Sequence, residues 1–151
     1  MKISYITNNL PIIILLSIIL ISGCSKDDGG DPSPLDEQLA LLENESQSWV
    51  SAGGSIVKDG FDVSDQFAGF KLTITAFDYT TENSLSGVWA DQGSWTFKDD
   101  QITTLERNDG VIITIQSISS SQLVLSFTDP NGTGGRYSSI PGDYVFTLVS
   151  E

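Results

Sequence analysis

The chain has 151 residues, with 20 Asp and Glu against 7 Lys and Arg, no histidine and a single cysteine, for a formal charge of −13 at pH 7. That balance repels nucleic acid and anionic headgroups. Lacking histidine, and with only one thiol, the chain cannot assemble Ser-His-Asp or Cys-His catalysis, a His-based or thiolate zinc site, or a redox dithiol. It has no phosphate-cradling glycine motif. Among so many acids some carboxylate pair is always within reach, so glycosidase-type chemistry singles out no residues. The expectation is a non-enzymatic protein with no cofactor and no metal.

The first element along the chain is an oily run. Residues 10–21 are apolar except for Ser17 and include Pro11. A bilayer span needs ~18 residues or more, so the run is too short to cross. It matches the apolar region of a secretory signal, with Lys2 ahead of it. Ile21-Ser22-Gly23-Cys24 resembles the lipobox of bacterial lipoproteins. That resemblance implies cleavage before Cys24 and a diacylglycerol thioether on its thiol, followed by acylation of the new amine. At ~0.8 kcal/mol per buried methylene, several acyl chains amount to a permanent membrane anchor.

Ser25-Lys26-Asp27-Asp28 has no aspartate directly after the cysteine. It resembles the export signal with which some Gram-negative bacteria place lipoproteins on the outer leaflet. The resemblance implies that Lys26, Asp27 and Asp28 act as that signal and that the protein is exposed on the outer membrane; the other reading is the start of a solvated tether. Residues 29–34 continue as Gly/Pro/Asp linker. The organisation is therefore a signal peptide over 1–23, a lipidated cysteine and flexible tether over 24–34, a short helix over 35–46 and one domain over 47–151.

In the helix, Leu35, Leu39 and Leu42 recur at helical spacing, and Ser33 or Asp36 can cap it. Its apolar stripe is expected to cover one end of the next domain. From Trp49 onward the period changes to two. Phe70, Leu72 and Ile74 share a face, as do Leu123, Leu125 and Phe127, and Tyr144, Phe146 and Leu148. Eight strands follow, near 48–57, 70–77, 78–82, 93–98, 101–107, 111–118, 121–128 and 143–150, with a loop and one helical turn over 62–69. Asp99-Asp100, Asn108-Asp109-Gly110 and Ser119-Ser120 read as successive tight turns. Such a meander closes into an all-β, eight-stranded antiparallel up-and-down barrel preceded by a short helix.

Trp49 opening the first strand, Lys58 to Ser64, Phe67 to Phe70, Leu72-Thr73-Ile74 and Gly93-Ser94-Trp95-Thr96-Phe97 together resemble the lipocalin-like domains of bacterial surface lipoproteins. The Gly-x-Trp signature of true lipocalins would need glycine where this chain has Gln47. That departure and the short 47–151 domain argue against a roomy cavity. The first function expected is binding of a small hydrophobic or glycan ligand at the barrel mouth, with Trp89, Tyr79, Trp49 and Trp95 as candidates beside Phe97. Trp49 and Trp95 are equally natural core residues; Trp89 lies in the loop-like stretch 86–92, where burial and exposure are both open. The alternative is a filled barrel acting through its outer surface as a protein-interaction, accessory or inhibitor module. The acidic, glycine-rich stretch 129–135 lacks regular calcium-loop spacing and reads as a loop. The partners expected are the membrane, through the anchor, and either a ligand or a protein, with no nucleic acid.

Overall fold

The computed structural model describes residues 31–151 except Ser86, Asp99, Gln101 and 130–140, together with the side chain of Ser46. The leader, Cys24, Lys26, Asp27 and Asp28 lie outside the described residues, as does the stretch 130–135.

Helix α1 spans Pro34–Glu43. The two candidate caps act together: Ser33 Oγ accepts the Asp36 N–H, and the Asp36 carboxylate accepts the Ser33 N–H at 3.1 Å. Pro34 opens the helix, where its missing N–H costs nothing. The helix ends three residues short of the expected limit at 46, because Asn44 turns left-handed (φ 48°) and its N–H returns to the Ala40 and Leu41 carbonyls.

Nine strands follow: β1 (Trp49–Lys58), β2 (Phe61–Asp62), β3 (Lys71–Thr75), β4 (Asp78–Glu82), β5 (Gln92–Phe97), β6 (Thr104–Arg107), β7 (Ile112–Ile118), β8 (Gln122–Asp129) and β9 (Gly142–Ser150). Apart from β2, each pairs antiparallel with the next, and β1 pairs with β9, so eight strands close a barrel. The extra β2 is a two-residue strand folded onto the end of β1 across Asp59 and Gly60, both with positive φ. Between β2 and β3 the chain makes the expected helical turn, Ser64–Phe67. The strand expected from 101 begins at Thr104 instead, since Phe97 pairs with Leu105 and Lys98 donates to the Thr104 carbonyl.

Closure depends on a bulge in β1 between Val50 and Ser55. There the strand bends and changes its second neighbour from β3 to β2. Gly54 makes the bend feasible: a Cβ on it would stand 1.9 Å from the Thr147 carbonyl oxygen. Phe67 fills the gap between β1 and β3, with ring centroids 5.1 Å from Phe146 and 6.2 Å from Phe70.

Alternation holds around the barrel, so Leu72, Ile74, Tyr79, Trp95, Leu105, Ile113, Leu125 and Phe146 all point inward and are buried. Strand direction then defines two ends. The helix end gathers α1, the start of β1 and the end of β9. The loop end gathers the β1–β2 turn, the 83–91 connection and the 108–110 turn.

Candidate functional site

The two ends and the space between them hold every aromatic candidate. At the helix end, Trp49 is fully buried and its Nε1 donates to the Leu42 carbonyl at 2.8 Å. Leu42 is buried, Leu39 is partly buried and Leu35 is exposed, so the leucine stripe covers the barrel with its C-terminal part only. Asn44 Nδ2 donates to Ser150 Oγ at 2.9 Å and ties the helix to β9.

At the loop end, the connection between β4 and β5 turns back into the barrel. Val88 and Trp89 are each 2% exposed. The Trp89 ring lies 5.4 Å from Phe127, 5.7 Å from Phe146, 6.0 Å from Tyr79 and 6.1 Å from Phe70, between centroids. The Arg107 guanidinium stands over it at 5.0 Å. Arg107 points inward from β6 and is 3% exposed. Its Nε donates to Asp109 Oδ1 at 3.1 Å, a second nitrogen donates to Asp109 Oδ2, and NH1 donates to the Val88 carbonyl at 3.0 Å. The pair is bidentate, the geometry best suited to holding a buried guanidinium. Partial burial pushes the Asp109 carboxyl up, but the hydrogen bonds and charge of Arg107, with the Val111 N–H, outweigh it and leave the group below its ordinary value. Burial raises the Tyr79 phenol, and the Arg107 charge offsets part of that rise.

The structure brings Trp89, Tyr79 and Trp95 to one interior space and leaves Trp49 apart at the helix end. That space, bounded also by Leu72, Ile74 and Leu125, amounts to about 10 Å³. This is room for one water at most. Exposed placement of Trp89, one of the two readings of its loop, is corrected: the ring is core, because the connection turns it inward against Phe70, Tyr79, Phe127 and Phe146. The Tyr79 hydroxyl and the Trp89 and Trp95 indole nitrogens are buried with no hydrogen-bond partner among the described residues.

The residue that sequence reasoning missed is Arg107. Its signal was present: in Thr104-Leu105-Glu106-Arg107 it shares the parity of Leu105, which places a cation on the inward face. Asp129, at the head of the acidic stretch, is likewise buried at the end of β8. Among the described residues no group of three or more acids, cysteines or histidines could hold a metal ion. The larger clefts are external. One, of about 600 Å³, lies against Ile112, Ser126 and Val145 on the barrel wall. Another, of about 620 Å³, lies between α1 and Ser120 and Ser150.

No family model matches the chain, and neither a curated protein nor a solved structure shows significant similarity to it.

Proposed function

We propose that this chain is a lipid-anchored protein of the outer membrane, exposed at the cell surface, whose small lipocalin-like barrel works from its outer surface as a non-enzymatic interaction, accessory or inhibitor module. The filled interior carries this reading. A small-molecule site encloses ~300 Å³ or more, whereas the interior space lined by Tyr79, Trp89 and Trp95 amounts to about 10 Å³. Trp89, Tyr79, Trp49 and Trp95 spend their faces on one another and on the core, so they offer an incoming ligand none. The address rests on the resemblance of Ile21 to Cys24 to a lipobox and of Lys26-Asp27-Asp28 to an export signal.

The test is a titration of the protein with a fluorescent fatty acid and, separately, with mixed oligosaccharides, followed through tryptophan emission. No saturable change is expected. A saturable shift would return the function to ligand binding inside the barrel. In parallel, Cys24→Ala should abolish lipid labelling and partition into detergent; retained labelling would refute the anchor.

A further inference from the structure

Acid is spread over most of the chain, but one wall of the barrel carries charge only at its loop end, at Lys58, Asp129 and Asp143. Residues 47–57, 111–128 and 144–150 contain no Asp, Glu, Lys or Arg, although the chain holds 20 acids. These segments build β1, β7, β8 and β9, which are consecutive around the barrel. Val57, Val145, Ser126 and Thr114 stand side by side in one outward cross-strand row, with Thr147 and Val124 in the next. The opposite wall, β3 to β6, presents Lys71, Asp78, Glu82 and Glu106.

We infer that the wall built from β1, β7, β8 and β9 is where a second copy of this chain packs, sheet against sheet across a two-fold axis. The inference rests on the reading that the barrel works from outside, and it names the surface. Charge selects the occupant. Lys58, Lys71, Lys98 and Arg107 each sit beside a carboxylate, so these cations are already neutralised and offer little to a second acidic chain. Two copies of a chain carrying −13 repel one another in most orientations, and wall-to-wall contact centred on Thr147 and Val124 leaves the outward Asp143 at its edge. The chemistry of the wall agrees. Its valines, threonines and serines make a surface for another sheet; among the described residues its strands present no outward aromatic to stack on a sugar, and their one cation, Lys58, is already paired with Asp59.

Four strands spaced by about 4.8 Å and about five residues long at about 3.3 Å each cover roughly 300 Å². With side-chain relief and both copies counted, the buried area is on the order of 1,000 Å², the lower edge of specific interfaces. The dimer is therefore weak in dilute solution and favoured where an anchor concentrates the chain on a membrane.

The full chain has one thiol, Cys24, which the lipid would occupy, so a single introduced cysteine reports the contact. Val145→Cys, Thr147→Cys and Val124→Cys, each in the full chain on cells, are oxidised with copper phenanthroline and run on non-reducing gels. At least one should cross-link most of the chain as dimer, and Thr96→Cys, outward on β5, about tenfold less. Adding Ser126→Glu, or separately Thr114→Glu, places a carboxylate against the mate and should lower the yield about tenfold or more. Absence of dimer from all three wall variants, equal dimer from Thr96→Cys, or insensitivity to both glutamates overturns the interface. Cross-linking of the unmodified chain through Cys24 would instead refute the anchor, and the wall variants are then judged in the Cys24→Ala background.

Discussion

Each end of the barrel is closed by a tryptophan, and the two closures are built from different materials. At the helix end Trp49 belongs to β1, and its one polar atom bonds a helix carbonyl, Leu42, in a neutral contact. At the loop end Trp89 comes from a connection with no strand ladder of its own. Side chains do the holding there: Thr81 Oγ1 donates to the Ala90 carbonyl at 2.9 Å, and Arg107 donates to that of Val88. A loop turned inward carries backbone carbonyls with it, and each needs a donor. The buried Arg107 supplies one and must then be neutralised by Asp109. Here the helix end is tied by hydrogen bonds of Trp49, Asn44 and Glu43 to their neighbours, whereas the loop end adds a buried ion pair.

The largest effects should be equal at the two ends. Trp49→Ala and Trp89→Ala each remove a fully packed indole and should each cost ~3–5 kcal/mol in urea melts. A cost below ~1 kcal/mol for Trp89→Ala would mean that the loop end is a loosely seated lid, and the comparison would collapse.

Charge should then separate them. Arg107→Ala leaves Asp109 partly buried beside a cavity and the Val88 carbonyl without its donor. We expect a loss of ~2–4 kcal/mol, below the range for fully buried pairs because Asp109 keeps some contact with water. The double variant Arg107→Ala/Asp109→Ala should lose less than the sum of its parts. Additive losses would show that the ion pair is not what holds the loop. Lys98→Ala, at a pair open to solvent, should change stability by under ~0.5 kcal/mol.

Acid tests the same pair by another route. Asp109 titrates below its ordinary value of 3.8 in the folded chain, so the unfolded chain takes up its proton first as pH falls. The stability it contributes is complete above that ordinary value and is lost as pH drops through the lower folded one. Asp109→Asn should therefore flatten the acid limb of a stability–pH curve below about pH 5. An unchanged limb would mean that other carboxylates carry it.

The strands were legible because a barrel wall, buried on one face only, imposes period two, and Phe70, Leu72 and Ile74 or Tyr144, Phe146 and Leu148 display it directly. Helix α1 was legible through Ser33 and Asp36, whose capping is local. What did not show was set by contacts distant in sequence. The need for glycine at position 54 shows only once Thr147 is placed against it. Trp89 reads as a loop residue until Phe127, Phe146 and Arg107 surround it, and nothing within 86–92 announces them. Of the candidate site, the four aromatics were named but not their packing, and Arg107 went unweighed because a cation in a strand is ordinarily solvated. The resemblance of residues 21–24 to a lipobox is different in kind: it is read as a linear motif and depends on no fold.

The finest distinction concerns one hydrogen. Phenylalanine at position 49 keeps a ring in the seal but removes the Nε1–H from the Leu42 carbonyl, leaving a buried acceptor near the last turn of α1. That should cost ~1–2 kcal/mol beyond the change in volume. Phenylalanine at position 89 removes an indole N–H that has no acceptor among the described residues. Only volume and part of the Arg107 attraction are lost there, the latter ~0.5–1 kcal/mol. Trp49→Phe should therefore be the more damaging by about 1 kcal/mol, with faster amide exchange confined to α1. Trp89→Phe should leave α1 protected. Equal costs with α1 protected in both would mean that the Trp49–Leu42 bond contributes nothing to the seal, and that packing with the Asn44–Ser150 and Glu43–Ala76 contacts holds the helix on the barrel.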